Sequence, residues 1–462
     1  MKHLISFLLV LILGMPSGIA QRSFEFGTGC LPETEPASLP RQAKLMARDF
    51  DNLPSSHSLK EYCPAPQSQG QYGTCTSWAT AYAFRTILEA VNNGWSDESL
   101  ITDEAFSPLF VYAQIKHTND YECSMGSQIS AAMRLLKSVG VVKKDVFNWM
   151  CINYVPQDVM DKAGTYRIKD FVTLIPFGQY MFDPEKVSVV RKAISQNKPV
   201  VIAMRVYPSF NTCGEVWDGN MMGMPGYHAM CVVGYDDERY GEGAFQIMNS
   251  WGEDWGDGGF TWVKYSDFCR TVDQAYTGML PPSVKKNKLS GSMEIRLSTG
   301  ETMQPVLDGS RRIPSYNMKG DYLSGTRYRL YVSNQEPAYV YIIGSDQKGN
   351  TSLVFPPAKN VSPALLYTNT HIAIPDEKWY IEMDNTVGKD YLCVLYSLKE
   401  LDIEDILENI RSESGDIYAK LDKALGNLRA TGNDVECQSN SMSFNAVTYG
   451  SVVPIISVIT HR

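Results

Sequence analysis

The clearest periodic pattern in the chain begins after Gly73, where apolar residues recur every three or four positions. This spacing predicts a helix with one buried stripe. The residues of the stripe are Trp78, Ala79, Tyr82, Ala83, Thr86, Ile87 and Ala90. A second helix is predicted over Ser127–Lys137 and is expected to stop at Gly140. Its inward residues are Ile129, Ala132, Met133 and Leu136.

Apolar runs with β-type composition follow these helices and predict strands. The runs are Pro199–Val206, His228–Tyr235, Ala244–Met248 and Phe260–Lys264. Helices therefore dominate the first half of this region and strands the second. That order predicts an α+β domain with segregated elements, over residues 53–281.

A polar stretch over residues 281–292, with Pro281, Pro282 and three lysines, predicts a domain boundary. The strand candidates beyond it are Tyr328–Val332, Ala338–Ile343, Ser352–Phe355, Trp379–Met383, Tyr391–Tyr396 and Val452–Ile459. Leu401–Arg429 has the pattern of a charged amphipathic helix or helix pair. We predict a β-rich, sandwich-like accessory domain with a C-terminal helical segment over residues 292–462.

The first twenty residues indicate the compartment. Lys2 and His3 precede an apolar run over Leu4–Leu13, and Gly18 and Ala20 fit a cleavage site before residue 21. The run is about half the length that spans a bilayer, so a cleaved signal peptide over residues 1–20 is favoured over an uncleaved anchor. We therefore expect a secreted or periplasmic protein without membrane insertion after cleavage, and an N-terminal extension over residues 21–52.

Composition narrows the choice of partners. Lys plus Arg number 42 and Asp plus Glu number 51, which gives a formal charge of −9. A chain this acidic, without a basic run, is a poor candidate for binding nucleic acid or an anionic membrane surface. The ten cysteines form no C-x-x-C pair, so the spacing does not support a zinc ribbon or a thioredoxin-type site, and we expect no metal and no cofactor. Some of them should pair in an exported protein, but spacing leaves the connectivity open.

Four residues in three separate motifs together suggest amide-bond chemistry. Cys75 stands at a predicted helix start, where the helix dipole favours the thiolate. His228 opens a strand and can transfer a proton, while the amide oxygen of Asn249, after the next strand, can orient its ring. The amide of Gln69 and the backbone N–H of Cys75 can together stabilise an oxyanion.

Taken singly, each of these residues has an ordinary structural explanation, and their joint order changes the interpretation. Gln-Gly-x-x-Gly-x-Cys opens a helix, Gly-x-His-Ala opens a strand, and Asn-Ser-Trp-Gly-x-x-Trp-Gly follows a strand. This order resembles the papain-like (C1 family) cysteine peptidases of bacterial type over roughly Leu53–Leu280. The resemblance implies a helical lobe, a β-barrel-like lobe and an endopeptidase acting on polypeptides. The roles it implies are nucleophile for Cys75, base for His228, orienting residue for Asn249 and oxyanion-hole residue for Gln69.

The resemblance also implies a substrate-binding set. The segment Cys123–Ser127 is similar to the Cys-Asn-Gly-Gly segment of the family. Gly126 would present its backbone to an extended peptide, and side chains beside it, including Ser127, would shape the main specificity pocket. Trp251 would shield the His–Asn hydrogen bond from water.

The chain departs from the family pattern at its cysteines. Tyr72 stands where the common pattern has a disulfide cysteine, so Cys123 needs another partner or none, and Cys151 is a candidate. Cys213 and Cys269 flank the His and Asn motifs much as the last bridge of the family does.

Other departures concern regulation. The extension lacks room for the long helical inhibitory propeptide of the family. Thr76 replaces the usual Trp beside the nucleophile, and the enlarged loop Asn211–Pro225 could narrow the cleft. These differences bear on specificity and regulation more than on the catalytic residues.

The second domain resembles a small bacterial β-domain of unknown role, DUF4384, which implies no activity. The motifs that carry this resemblance are Gly325–Leu330, Ala338–Ile343, Leu353–Pro356 and Ile374–Glu377. We expect a stabilising or interaction domain that offers a possible surface for a protein partner. His371 lacks a neighbouring histidine or cysteine and is expected at the surface.

Two alternatives to hydrolysis remain. One is a catalytically silent binding module with the same fold, and the other is an amide or thioester transferase that uses the same nucleophile. The complete set of four catalytic residue types argues against the silent module, while the choice between water and another acceptor stays open.

Overall fold

The computed structural model describes residues 26–180, 182–281, 287–430, 434–448 and 450–462. The predicted signal peptide, residues 21–25 of the extension and residues 282–286 of the predicted boundary lie outside the described residues. Within those residues no helix is long and apolar enough to cross a membrane.

The first part of the chain combines helices with one antiparallel sheet. Its α-helices are α1 Arg48–Asp51, α2 Cys75–Ser77, α3 Thr86–Asn93, α4 Glu98–Asp103, α5 Pro108–Ile115, α6 Ile129–Ser138, α7 Gln157–Ala163, α8 Glu185–Ser195 and α9 Tyr265–Thr271. Its strands are β1 Ser56–Ser58, β2 Asp170–Ile175, β3 Val200–Val206, β4 Gly226–Asp236, β5 Ala244–Met248, β6 Phe260–Lys264 and β7 Val272–Met279. The sheet order is β2-β7-β3-β4-β5-β6, and β1 pairs with β4.

The first predicted helix is a composite. A π-helical stretch, Trp78–Arg85, joins α2 to α3 without a break, and Gly94 ends α3 with a φ of 65°. The predicted stripe is buried, but so is every other residue of Trp78–Arg85. The stretch packs against β3 and β4 on one side and α5 and α6 on the other, which explains why it is buried all round.

The other predictions for this region are confirmed with small shifts. Helix α6 buries the four predicted residues, and Gly140 follows its end with a φ of 97°. All four predicted strands are present as β3 to β6. Strands β2 and β7 were not predicted, although both are almost wholly buried.

The second part of the chain forms two sheets and a helix pair. Its strands are β8 Asn287–Leu297, β9 Pro305–Asp308, β10 Ser315–Tyr322, β11 Arg327–Asn334, β12 Ala338–Ser345, β13 Thr351–Phe355, β14 Ala364–Leu365, β15 Thr370–Ile374, β16 Ile381–Glu382, β17 Gly388–Ser397, β18 Val435–Cys437, β19 Met442–Thr448 and β20 Val452–His461. One sheet has the order β13-β12-β17-β20-β10-β9, and the other has the order β15-β11-β8-β19-β18. The helices are α10 Ile403–Ser412 and α11 Ile417–Leu425.

The two sheets face each other across a shared core, as a sandwich does. The Ser457 hydroxyl of β20 contacts the sulfur atoms of Met293 and Met442 in the other sheet. The ring of Tyr396 packs against Phe444 at 4.8 Å between centroids. The chain as a whole is therefore α+β, with its second part β-rich.

Sequence patterns missed several strands here. Strand β8 has Ser290, Gly291 and Ser292 at its centre, which interrupt the apolar pattern, yet it pairs with both β11 and β19. Since β8 starts at residue 287, the β-rich second part begins before the predicted residue 292. The candidate Trp379–Met383 forms a strand only over Ile381–Glu382.

The N-terminal extension crosses the first part and then reaches the second. We call residues 26–51 the N-terminal strap. Cys30 of the strap pairs with Ser127 in the first part. Arg41 pairs with Thr173 in the first part and Val361 in the second, and Leu45 pairs with Ile372 in the second. Apart from a 3₁₀ turn over Pro36–Ser38 and the single turn α1, the strap is extended.

The two parts also touch away from the strap. Lys137 forms ion pairs with Asp170 at 2.9 Å and with Glu400 at 2.8 Å. The Thr368 hydroxyl donates a hydrogen bond to Gln196 at 2.8 Å.

Candidate active site

Cys75 begins α2 and is fully buried at the junction of helix and sheet. Its thiol makes hydrogen bonds with the backbone of Ala229, in β4, and with the backbone of Gly29, in the strap. Thr76 contributes further hydrogen bonds to the same sulfur. Burial is the largest influence on this thiol and raises its pKa.

His228 and Asn249 meet on the opposite wall, on β4 and directly after β5. His228 Nε2 lies 2.7 Å from Asn249 Oδ1, and both side chains are buried. Because Oδ1 is an acceptor, the geometry assigns the proton to Nε2 and leaves Nδ1 as the acceptor nitrogen. Within the described chain, Nδ1 has no hydrogen-bond partner.

Aromatic rings cover this pair. Trp251 stacks on the His228 ring at 4.7 Å between centroids, and Phe210 and Trp255 pack edge-on against Trp251. Burial lowers the pKa of His228 to about 4, although the hydrogen bond to Asn249 opposes that shift. In the folded chain His228 is therefore neutral near pH 7.

Gln69 lies at the end of the cleft nearest Trp251. Its Oε1 accepts a hydrogen bond from the Ser250 hydroxyl at 2.6 Å, and its backbone N–H donates to the Ser250 carbonyl at 2.9 Å. Its Nε2 donates to the carbonyls of Tyr72 at 2.7 Å and Gly27 at 3.1 Å. The side-chain amide is thus fixed with its N–H group towards a carbonyl oxygen in the cleft.

The predicted substrate-binding segment forms the wall opposite β4. The Cys123–Cys151 disulfide holds it, so Cys151 is confirmed as the partner of Cys123. Gly126 has a φ of 78°, and its N–H donates to the Tyr112 hydroxyl at 3.2 Å. Ser127 uses both backbone polar groups to bind the strap, as described next.

The strap occupies the cleft between these walls. Ser127 N–H donates to the Gly29 carbonyl at 2.9 Å, and Leu31 N–H donates to the Ser127 carbonyl at 3.0 Å. On the other wall, Cys30 N–H donates to the Tyr227 carbonyl at 3.1 Å. The backbone of the strap therefore makes the contacts that an extended peptide would make.

The same segment reaches the predicted oxyanion-stabilising group. The Gly27 carbonyl accepts hydrogen bonds from Gln69 Nε2 and, at 3.3 Å, from Trp251 Nε1. The Phe26 ring stacks on Trp251 at 5.0 Å. An added Cβ atom at Gly29 would lie 2.2 Å from the Gly73 carbonyl oxygen, so only glycine fits at this position beside Cys75. Sequence reasoning did not place the strap here; the two glycines around Thr28 were the available signal.

Cys213 and Cys269 correct one implication of the family resemblance. Both are free thiols in the structure, with no bridge between them. Cys213 instead contacts the Thr261 hydroxyl at 3.6 Å, and Cys269 contacts the Asp183 carbonyl at 3.7 Å. In the enlarged loop, the side chains of Met222 and Met224 are exposed.

The expectation that His371 lies at the surface is also corrected. The histidine is not a plain surface residue, because Nδ1 lies 2.8 Å from a carboxylate oxygen of Asp49 in the strap. The partner is an acid distant in sequence, which no local pattern around His371 could indicate.

Comparison with known proteins agrees with this geometry. Residues 55–279 match the model of the papain family cysteine proteases, and residues 321–400 match a domain of unknown function, DUF4384. Cathepsin B-like CP2 of Giardia intestinalis is 25% identical over 248 residues, which is 50% of this chain and 75% of that protein. An uncharacterised peptidase C1-like protein of Acanthamoeba polyphaga mimivirus, L477, is 24% identical over 225 residues, or 45% and 68% of the two chains.

Among solved structures, this chain is similar to xylellain, a cysteine protease from Xylella fastidiosa. The sequence identity is 21%, the TM-score is 0.45, and the match covers 57% of this chain and 99% of that one. The matches to the two family models show a papain-like cysteine peptidase domain over residues 55–279 and a DUF4384 domain over residues 321–400.

Proposed function

We propose that this chain is an exported endopeptidase in which Cys75 is the nucleophile, His228 the base and Asn249 the orienting residue. The observation that carries the proposal is the hydrogen bond between His228 Nε2 and Asn249 Oδ1. This bond leaves Nδ1 as the proton acceptor. The Cys75 thiol makes a hydrogen bond with the backbone of Ala229, which follows His228 in β4. Nucleophile, base and orienting group then follow the order of a catalytic triad.

In the proposed reaction, His228 Nδ1 takes the Cys75 proton and the sulfur forms a bond to the substrate carbonyl carbon. The carbonyl oxygen becomes an oxyanion, which accepts hydrogen bonds from Gln69 Nε2 and the Cys75 backbone N–H. Collapse of this intermediate breaks the C–N bond, and His228 gives its proton to the leaving amine. Water then attacks the thioester while His228 takes one of its protons. The C–S bond breaks, His228 returns the proton to Cys75 Sγ, and the carboxylic acid is released.

The substrate site of this proposal is the space that the strap fills. A polypeptide would pair with the backbone of Gly126 and Ser127 and place its carbonyl where the Gly27 carbonyl now lies. Trp251 would keep water away from the His–Asn bond, because its ring covers His228.

A thiol-reactive epoxide tests the proposal. We expect one equivalent to label Cys75, located by mass spectrometry of the digested protein, and we expect Cys75→Ala to remove the label and the hydrolysis of a peptide library together. Labelling without hydrolysis, but with transfer of an acyl group to an added amine, would replace the peptidase with a transferase. Absence of both would favour a silent binding module.

Export is part of the proposal and has its own test. The protein recovered from outside the cytoplasm should begin at Gln21 when its N-terminus is sequenced. A chain that retains Met1 and stays with the cells would contradict export.

A further inference from the structure

We propose that the C-terminal domain clamps the N-terminal strap, and thereby keeps the peptidase cleft closed by the chain's own residues. This inference rests on the proposed function of the Cys75 site. It gives the DUF4384 domain a regulatory role that its family does not assign. The argument follows the strap from the cleft to the second domain.

At the cleft end, the strap is hydrogen-bonded to the cleft walls through its backbone, and the Phe26 ring adds a stacking contact with Trp251. The carbonyls of Gly27 and Gly29 and the N–H groups of Cys30 and Leu31 all bond to cleft residues. Backbone hydrogen bonds do not depend on side-chain identity, so a polypeptide substrate can make them in place of the strap. The cleft end alone therefore gives the strap little advantage over a substrate.

In its middle, the strap is a shared strand between the two domains. The peptidase contributes Thr173, whose N–H donates to the Pro40 carbonyl at 2.7 Å and whose carbonyl accepts from Gln42 N–H at 3.2 Å. Arg41 faces the other way: its N–H donates to the Asn360 carbonyl, and its carbonyl accepts from Ser362 N–H, both at 2.8 Å. Alternate residues of the strap thus bind alternate domains, as in a strand with neighbours on both sides.

At its far end, the strap bonds to the C-terminal domain through specific side chains. Asp49 is buried, and its carboxylate lies 2.9 Å from the His371 backbone N–H and 2.8 Å from His371 Nδ1. Glu377 accepts a hydrogen bond from the Ala47 N–H at 3.0 Å, and Gln42 accepts one from the Tyr367 hydroxyl at 2.9 Å. Hydrogen bonds to a buried carboxylate are among the stronger ones in proteins.

The physical consequence is an intramolecular competitor. A short segment joins the clamped residues to residues 26–31, so the clamp keeps those residues at high effective concentration beside the cleft. A substrate must displace them, which raises the apparent KM by the ratio of closed to open forms and leaves kcat at saturation unchanged. Loosening the clamp should therefore lower the apparent KM without changing kcat.

Two clamp variants test this with the full chain and a fluorogenic peptide. Asp49→Lys places a cation in the buried carboxylate site, and we expect the apparent KM to fall about tenfold or more. His371→Ala combined with Glu377→Ala removes two side chains of the C-terminal domain that bind the strap and should lower the apparent KM about threefold. The double variant decides the matter if Asp49→Lys fails to fold.

Glu400→Gln is the matched control. It breaks the Lys137–Glu400 pair, which joins the same two domains but does not touch the strap. We expect its apparent KM to equal that of the unmodified chain. If the apparent KM falls as much in Glu400→Gln as in the clamp variants, loosening of the contact between the domains, and not release of the strap, controls the cleft.

Gly29→Leu separates failure of this inference from failure of the proposed function. The added side chain has no room over Gly73, so it should expel the strap and open the cleft directly. If this variant is active with a lowered KM while the clamp variants match the unmodified chain, the clamp is refuted and the peptidase stands. If it is neither active nor labelled by the epoxide at Cys75, the proposed function itself falls. Equal KM values in all variants would show that the strap does not close the site.

Discussion

The two ends of the strap are held in opposite ways. In the cleft, residues 26–31 are bound through backbone groups, and Gly29 fits because it lacks a side chain. At the C-terminal domain, the strap is bound through side chains, with the Asp49 carboxylate at its centre. The cleft end therefore relies on backbone hydrogen bonds that another peptide could also make, whereas the other end relies on particular side chains of the strap and the C-terminal domain.

The two histidines show the same contrast. His228 bonds to an amide, which orients the ring without supplying a charge, and it is covered by Trp251. His371 bonds to a carboxylate and is about one-third exposed. His228 is thus oriented by a neutral group inside the cleft, whereas His371 is held by the Asp49 carboxylate of the strap. The following predictions test this contrast from the largest expected effect to the smallest, in the Gly29→Leu background.

Cys75→Ala should reduce kcat at least about 10⁴-fold, because no other group can form the thioester. Hydrolysis of the fluorogenic peptide measures the effect, and circular dichroism should show an unchanged fold. Cys393→Ala is the matched control, since it removes another fully buried thiol in the other domain. Retained turnover in Cys75→Ala would remove the mechanism.

His228→Ala should reduce kcat about 10³-fold or more, because proton transfer to and from the nucleophile and the leaving amine is lost. Asn249→Ala should cost less, since Asn249 orients the ring without carrying the proton. His371→Ala should leave kcat unchanged. A loss of kcat in His371→Ala similar to that in His228→Ala would break the contrast between the two histidines.

Gln69→Ala should reduce kcat about 100–1,000-fold, the usual cost of losing one oxyanion donor. Gln67→Ala offers a control in the same segment, and its kcat should be nearly that of the parent. Steady-state kinetics would show the loss in kcat and little change in KM. Full activity of Gln69→Ala would mean that other donors hold the oxyanion.

The pH dependence of stability should report the burial of His228, here in the full chain without other substitutions. Its pKa is about 4 in the folded form and about 6.5 in an unfolded chain. The unfolded state therefore binds more protons between these values. As a result, the contribution of His228 to the unfolding free energy is complete above pH 6.5 and is lost as the pH falls towards 4.

Urea unfolding between pH 7 and pH 4.5 measures this effect. The unmodified chain should lose about 2–3 kcal/mol more than His228→Gln over that range. Using the difference between two chains cancels the titration of the carboxylates that they share. Parallel curves would show that His228 titrates normally in the fold.

Much of the peptidase part could be predicted from the chain pattern. The buried stripe of Trp78–Ala90, the inward face of α6 and strands β3 to β6 all follow from local periodicity. Cys75, His228, Asn249 and Gln69 were selected by motif order, and the structure brings them to one cleft, although their catalytic roles remain proposals. These features are predictable because each depends on residues close together in sequence.

Other features depend on partners that are distant in sequence. The apolar pattern missed β8, because its central Ser–Gly–Ser segment is stabilised by pairing with β11 and β19 on both sides. The bridge implied for Cys213 and Cys269 is absent, because the fold gives each thiol a different polar neighbour.

The sequence by itself predicted the four candidate catalytic residues, two helical segments and four strands of the peptidase part, because side-chain type and periodicity are local properties. Only the tertiary structure decided that the strap fills the cleft and joins the two domains. Its residues show no periodicity, since their backbone groups pair in turn with Ser127, Thr173 and Ser362, which lie on separate elements. Backbone hydrogen bonds of this kind carry no side-chain signature, so the two glycines around Thr28 were the one local signal for this placement.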